Sequence, residues 1–289
     1  MSNSIAAAPS VLAQGVIAAL ANKLPVLNGF SSVFTSSIAG AGKTIQVPLI
    51  GTSTATEFSS GGYLTQDDAT VTSTSVTLKH FKVSSRFAPL DVREYGMAFF
   101  ANNFVETAAI ALSQKCMTEL NSLITAANYS SSTNTGANLS YAEVVAAQKT
   151  LDDAKAPDKR ALVLGNGYLS DLRSDASIIA AFQLGANVIS TGSLGSIAGA
   201  QVYQFSNLAT NSESLAGFIC GADAIAVATA LPFNEIPGAE VSSATDPNTG
   251  LSVQVMIIQE QSGFLNVTAT LLFGCAVGRA TSLRRLTTA

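Results

Sequence analysis

The chain has 289 residues, 47% of them hydrophobic and only 12% charged, so it can bury a large core in one or two connected domains and is not a disordered protein. Its formal net charge of -4 leaves no basic face to neutralise many phosphates, which argues against a dedicated nucleic-acid binder. One histidine, His80, and three cysteines without a C-x-x-C pair leave little for a histidine-dependent hydrolase, a zinc site or a disulfide framework.

Residues up to about Ala41 read as an arm: a weakly amphipathic helix around Val11 to Leu24, then a Ser/Gly-rich stretch with little of its own to fold around. The first residues lack the positive region that precedes the apolar core of a secretory signal, so no signal is expected. From Thr44 to about Pro89 the signal is β. "TIQVPLIG" and "VTSTSVTLKHFKVSSRF" flank a long polar stretch and predict an extended hairpin whose faces need cover from neighbouring elements or subunits.

Between about Val92 and Asn128, Met97, Phe100, Phe104, Ala108, Leu112, Cys116, Leu120 and Ile124 recur at three- or four-residue spacing, with Gln114, Lys115, Glu119 and Asn121 outside the stripe. That predicts one helix of ~30 residues, about 45 Å long. A polar loop follows over Tyr129 to Asn138, and "SYAE" supplies a capping box in which Ser140 and Glu143 open a new helix running to about Lys155.

"RALVLGNGYLSDLRS" reads as a strand at Ala161 to Leu164, a tight Gly-Asn-Gly turn and a helix from Tyr168. "DASIIAAF" is helical, and "IAGAQVYQF" and "GFICG" are strands. Leu215 to Pro232 approaches transmembrane hydropathy but is short and interrupted by Asp223, so a buried strand followed by a small-residue helix, "ADAIAVATA", is expected. The last part alternates through Val253, Val255 and Ile257, turns at Ser262-Gly263, and resumes through Leu265, Val267, Ala269 and Leu271. The fold class is α+β, without internal repeats.

"AGAGKT", Ala39 to Thr44, imitates a phosphate-binding loop. That loop needs Gly five residues before Gly42, where Ser37 stands, and a helix after the lysine, where β-branched "TIQVPLIG" carries Pro48. A flexible hinge into a strand is the better reading. No G-x-S-x-G surrounds Ser193 or Ser196, and His80 lies between Lys79 and Lys82 as a surface or interface residue. Asp67-Asp68 and Asp152-Asp153 are adjacent carboxylates that point to different sides, unlike an acid/base pair. Cys116, Cys220 and Cys275 read as small buried hydrophobes in a reducing compartment. Asn128, Asn138 and Asn266 match the glycosylation pattern, with little weight in the absence of a signal. Lys155, Lys159 and Arg160, and Arg279, Arg284 and Arg285, form basic clusters that could meet carboxylates across interfaces. No catalytic, cofactor-binding or metal-ligating residues are expected.

The order arm, long hairpin, spine helix, capped helix into a mixed module and returning hairpin resembles the major capsid protein of tailed double-stranded DNA phages, the shell fold shared with phage Hong Kong 97 (HK97-like). "GKTIQVPLI" and "VTLKHFKVSSRFAPLDV" resemble the two sides of that family's extended loop. "KRALVLGNGYLSDLR" and "SIAGAQVYQFSNL" resemble its axial domain, and "GFLNVTATLLFGCAVGRATSLRRL" its closing strands. The resemblance implies an N-terminal arm at 1–43, an extended loop at 44–90, a peripheral domain with the spine helix at 91–131 and an axial domain at 132–233. Peripheral return strands at 234–275 and an axial C-terminal strand at 276–289 complete it.

It further implies hexamers and pentamers of an icosahedral shell around DNA, in a virion assembled in the host cytoplasm, with arm and loop lying over neighbouring subunits. Because ~40 residues precede the hairpin, a separate scaffolding protein and no self-cleaved prodomain are expected, beside a portal and decoration proteins. An encapsulin-type nanocompartment shares the fold and is the nearest alternative; a nucleotide hydrolase is the alternative of a different class.

Overall fold

The computed structural model describes residues 9–39, 43–49, 72–136, 138–183, 194–205, 208–232 and 238–288. Helix α1 (Pro9–Lys23) buries Leu12, Ala13, Val16, Ile17 and Leu20. These residues pack on the chain's own α3 (Met97–Ser122), β11 (Glu240–Thr245) and β12 (Ser252–Gln259). The expected arm is therefore anchored in its own core. The Ser/Gly-rich stretch also takes a place in the body, because β1 (Ser31–Ala39) pairs in parallel with β10 (Ile225–Pro232). The hinge read at Gly40 to Gly42 lies outside the described residues.

The first sheet runs β1, β10, β13 (Leu265–Val277), β12, β11, with β4 (Lys79–Phe87) also on β13. Over Leu265–Leu271, β13 lies between β12 and β4; from Leu272 it pairs with β10. Its alternation assigns the faces. Val267, Ala269, Leu271 and Phe273 join the core formed with α1 and α3, whereas Leu272 meets Val47, Leu49, Val76 and Leu78 at the foot of the hairpin. That foot is a two-stranded sheet of β2 (Thr44–Leu49) and β3 (Thr72–Thr77). The single return strand expected from Val71 to Phe87 is thus divided at Leu78. Its first half pairs with β2 and its second half with β13.

Ala222 to Ala230 was expected as a helix, and Ile225 onward is instead strand β10. The reason is its period: Ile225 and Val227 face the main core while Ala226, Ala228 and Ala230 face the hairpin foot. The β-branched residues fit a pleated surface, and the alanines leave room for the overlying β2 and β3. The expected 30-residue helix is also two: α2 (Pro89–Tyr95) ends at Gly96, whose φ of +81° only glycine adopts without strain, and α3 begins at Met97. The 26 residues of α3 span about 39 Å. Its buried stripe contains Phe104, Ala108, Leu112, Cys116 and Leu120 as expected, but Asn121, expected outside it, is fully buried.

The second sheet runs β5 (Ser132–Asn134), β14 (Leu283–Thr287), β9 (Leu215–Gly221), β6 (Arg160–Gly165), β8 (Ala200–Phe205), β7 (Ser196–Ile197). One face, with Leu162, Leu164, Ile219 and Leu286, is covered by α4 (Tyr141–Asp153), α5 (Asn166–Ser174) and α6 (Ala176–Gln183). The other face puts Ala161, Val163, Phe218 and Cys220 into the same core as α1 and α3, so one apolar interior joins both sheets. Helix α4 starts as its cap predicts: the Glu143 carboxylate accepts from the Ser140 backbone N–H at 2.7 Å and from its hydroxyl at 3.2 Å. Helix α5 begins directly at Asn166, so the tight Gly-Asn-Gly turn does not form. The loop expected over Tyr129 to Asn138 contains β5 and a fully buried Tyr129.

Candidate functional site

Thr44 opens β2 opposite Thr77, and the Lys43 carbonyl accepts from Leu78 N–H at 3.0 Å. A strand therefore follows Lys43, so no helix N-terminus stands there to face a phosphate. His80 is exposed on β4, opposite Leu272, and partial burial together with the charge of Lys82 lowers its pKa. Cys116 and Cys220 are buried and their thiols are pushed up by desolvation, while Cys275, partly buried, is pushed up to about 12. A thiol held protonated in this way is a poor nucleophile.

Asp152 pairs with Arg160 at 2.6 Å, and Asp153 is exposed beside it on α4. Asp67, Asp68 and Ser193 lie outside the described residues, and Ser196 opens β7. Among the described residues no group of three or more His, Cys, Asp and Glu side chains is arranged to hold a metal, and no helix is long and apolar enough to cross a membrane. A cavity of about 480 Å³ lies where β6 enters α5 and is lined by Gly165, Asn166, Gly167, Tyr168, Thr210 and neighbouring residues. Among the described residues that line it, Tyr168 carries the one ionisable side chain.

The basic clusters divide. Arg160 and Arg285 are buried and face inward, contrary to the expectation of interface cations. Arg285 pairs with Glu213 and donates Nε to the Tyr129 carbonyl at 2.7 Å, and Tyr129 in turn donates its hydroxyl to the Ala224 carbonyl at 2.8 Å. Burial lowers the Arg285 pKa and raises that of Tyr129. Arg284 donates to Thr133 at 2.8 Å, and Arg279 lies 3.6 Å from the buried Asp223. Lys155 and Lys159 remain on the surface.

Sequence reasoning missed three of these partners, Glu213, Asp223 and Tyr129, because each is more than 55 residues from the group it meets and shares no local pattern with it. Lys79 is also held inside the subunit. It pairs with Glu119 of α3, which a second lysine, Lys115, approaches to 3.4 Å. Burial alone would raise the Glu119 carboxyl, but the hydrogen bonds and charges of Lys79 and Lys115 outweigh it and hold the pKa below the usual range. The Glu119 hydrogen bond raises that of Lys79.

Large apolar side chains are exposed side by side on the described surface. Tyr95 and Phe99, with ring centroids 5.8 Å apart, are 64% and 52% exposed at the junction of α2 and α3. They continue into Phe100 and Phe87, whose rings are 5.0 Å apart. Beside them Arg86 stacks 3.8 Å over the Phe264 ring and pairs with Glu260 at 2.6 Å. An exposed cluster of large apolar side chains with a polar rim is the kind of surface that other proteins cover.

No family model and no curated protein matches the chain. Solved structures do. The capsid structure of cyanophage P-SCSP1u is 13% identical, with 90% of this chain and 86% of that one covered at a TM-score of 0.56. The head structure of Helicobacter pylori bacteriophage KHP40 is 12% identical, with 90% and 87% covered at 0.54. The capsid of Ralstonia phage GP4 is 15% identical, with 90% and 87% covered at 0.52. The chain therefore has the mixed α+β fold of phage capsid structures, the HK97-like architecture, over about nine-tenths of its length.

Proposed function

We propose that the protein is a structural, non-enzymatic shell subunit: a phage major capsid protein that assembles into the hexamers and pentamers of an icosahedral head around double-stranded DNA. The observation that carries this reading is the agreement of about nine-tenths of the chain with capsid structures, rather than of a single shared module. The surface supports it: the exposed apolar side chains of Tyr95 and Phe99 are available to neighbours. The sparse net charge of -4 fits a wall that encloses DNA without adhering to it.

In this reading the first sheet with α1 and α3 is the peripheral part, the second sheet with α4, α5 and α6 the axial part, and β2 with β3 the foot of the extended loop. The partners are further copies of the chain, a separate scaffolding protein, a portal and decoration proteins. The place of action is the virion, after assembly in the host cytoplasm. Expression with and without a scaffold, followed by electron microscopy, tests the proposal: closed shells support it, and a monodisperse monomer under all assembly conditions opposes it.

A further inference from the structure

The chain passes between the two sheets three times: at Leu123–Ser131 from α3 to β5, at Ala222–Ala224 from β9 to β10, and at Gly278–Ser282 from β13 to β14. The second and third crossings lie against each other. Gly278 N–H donates to the Ala224 carbonyl at 2.9 Å and Arg279 N–H to the Asp223 carbonyl at 2.8 Å, and the Tyr129 hydroxyl brings the first crossing to the same Ala224 carbonyl. The approach is so close that a Cβ at residue 278 would stand 2.3 Å from the Asp223 carbonyl oxygen. These bonded backbones join the two sheets beside the apolar interior that both share.

One side chain braces that junction. Arg279 leaves the third crossing, reaches 3.6 Å from the carboxylate of Asp223 in the second, and donates to the Ala154 and Lys155 carbonyls at 2.9 and 3.4 Å. Those carbonyls end α4, where helix geometry leaves acceptors free and the dipole favours a cation. Helix α4 packs on β9 and β14 of the second sheet. Asp223 is 1% exposed and neither of its oxygens accepts a hydrogen bond among the described residues, so Arg279 is the cation that compensates it. A buried ion pair adds little net stability, but removing one partner leaves the other charge uncompensated, so the pair favours the arrangement in which the two meet.

We infer that Asp223 and Arg279 form a clamp that fixes the angle between the two sheets and, resting on the shell reading above, the curvature with which subunits join. They act as positioning residues through α4 and the crossings.

The test uses the full chain with Arg279→Met, Arg279→Lys and Asp223→Asn. In the unassembled subunit, hydrogen exchange at the amides of Gly278 and Arg279 is expected to quicken at least tenfold in Arg279→Met, less in Arg279→Lys, which keeps the charge. In assembled material, wild type is expected to give one shell diameter, Arg279→Met and Asp223→Asn mixed diameters or unclosed sheets, and Arg279→Lys partial recovery of the single diameter. Lower thermal stability with unchanged diameter and unchanged exchange at the crossings would overturn the clamp, because it leaves the pair a stabilising contact only. If wild type forms no shell, the shell reading fails while the exchange measurement still decides the clamp. Should Arg279→Met not fold, the double variant Asp223→Asn, Arg279→Gln removes both charges together and is read by the same two measurements.

Discussion

At the scale of the residue, Arg160, Asp223 and Arg285 are charges buried within the subunit. Arg285, buried, is held by Glu213 and by the Tyr129 carbonyl, and removing its partner would strand a cation in an apolar interior. Glu213→Gln is expected to destabilise the subunit by about 3–5 kcal/mol, read from the urea midpoint of unfolding. The Lys79–Glu119 pair is weaker, since 60% of the lysine side chain is exposed, and contributes under about 1 kcal/mol. Its dependence on pH has a defined sign. Glu119 has a depressed pKa, so its contribution is present above the unfolded glutamate value and is lost as pH falls through the lower folded value. Lys79 has a raised pKa, so its share persists until pH rises through that raised value. The stability difference between wild type and Glu119→Gln, measured by denaturant titration across pH, should therefore be flat at neutrality and vanish in acid.

Local patterns in the sequence revealed what each of these residues is but not whom it meets. Arg285 read as a surface cation because its carboxylate is 72 positions away, and Asn121 read as polar surface although the Asn211 side chain donates to its carbonyl at 2.8 Å and the fold closes over it.

At the scale of the element, periodicity was informative where an element has one dry face. The α3 stripe is an example, and Leu112 at its centre is 1% exposed. Leu112→Ala should cost about 2–5 kcal/mol, measured by thermal or urea unfolding. Periodicity failed where both faces are dry. Strand β10 is buried on both sides, between the main core and the hairpin foot, so its small residues gave a continuous apolar run with no polar side to identify it as a strand. The break at Gly96 was equally hidden, because the apolar spacing continues across it from Val92 to Phe100.

The hairpin foot depends on a close approach at Gly274, where an added Cβ would stand 2.5 Å from the Thr77 carbonyl oxygen. Gly274→Ala is expected to unseat β2 and β3 from the sheet. Faster proteolysis within Thr72–Leu78, with the α-helical circular dichroism retained, is the expected result.

At the scale of the whole molecule, the order of elements was more legible than any one of them. The hairpin foot, the spine, the capped helix and the returning strands appear in the expected sequence, and the fold they build is similar to capsid structures at 12% to 15% identity. What could not be read from the chain is how it crosses between sheets, since the crossings are short and join residues remote in sequence. The N-terminal helix illustrates the same limit. It looked unsupported because its cover, α3 and β12, lies some 100 to 240 residues away.

Because a strand, not a helix, follows Lys43, Lys43→Ala should leave ATP binding and turnover unchanged at background, as judged by equilibrium binding and phosphate release. The central claim is that the chain builds a closed wall. Cryo-electron microscopy of the protein, expressed alone and with candidate scaffolding proteins, tests it most directly: icosahedral shells with six- and five-fold capsomers are the expected result, and a protein that stays a monodisperse monomer under every assembly condition would contradict it.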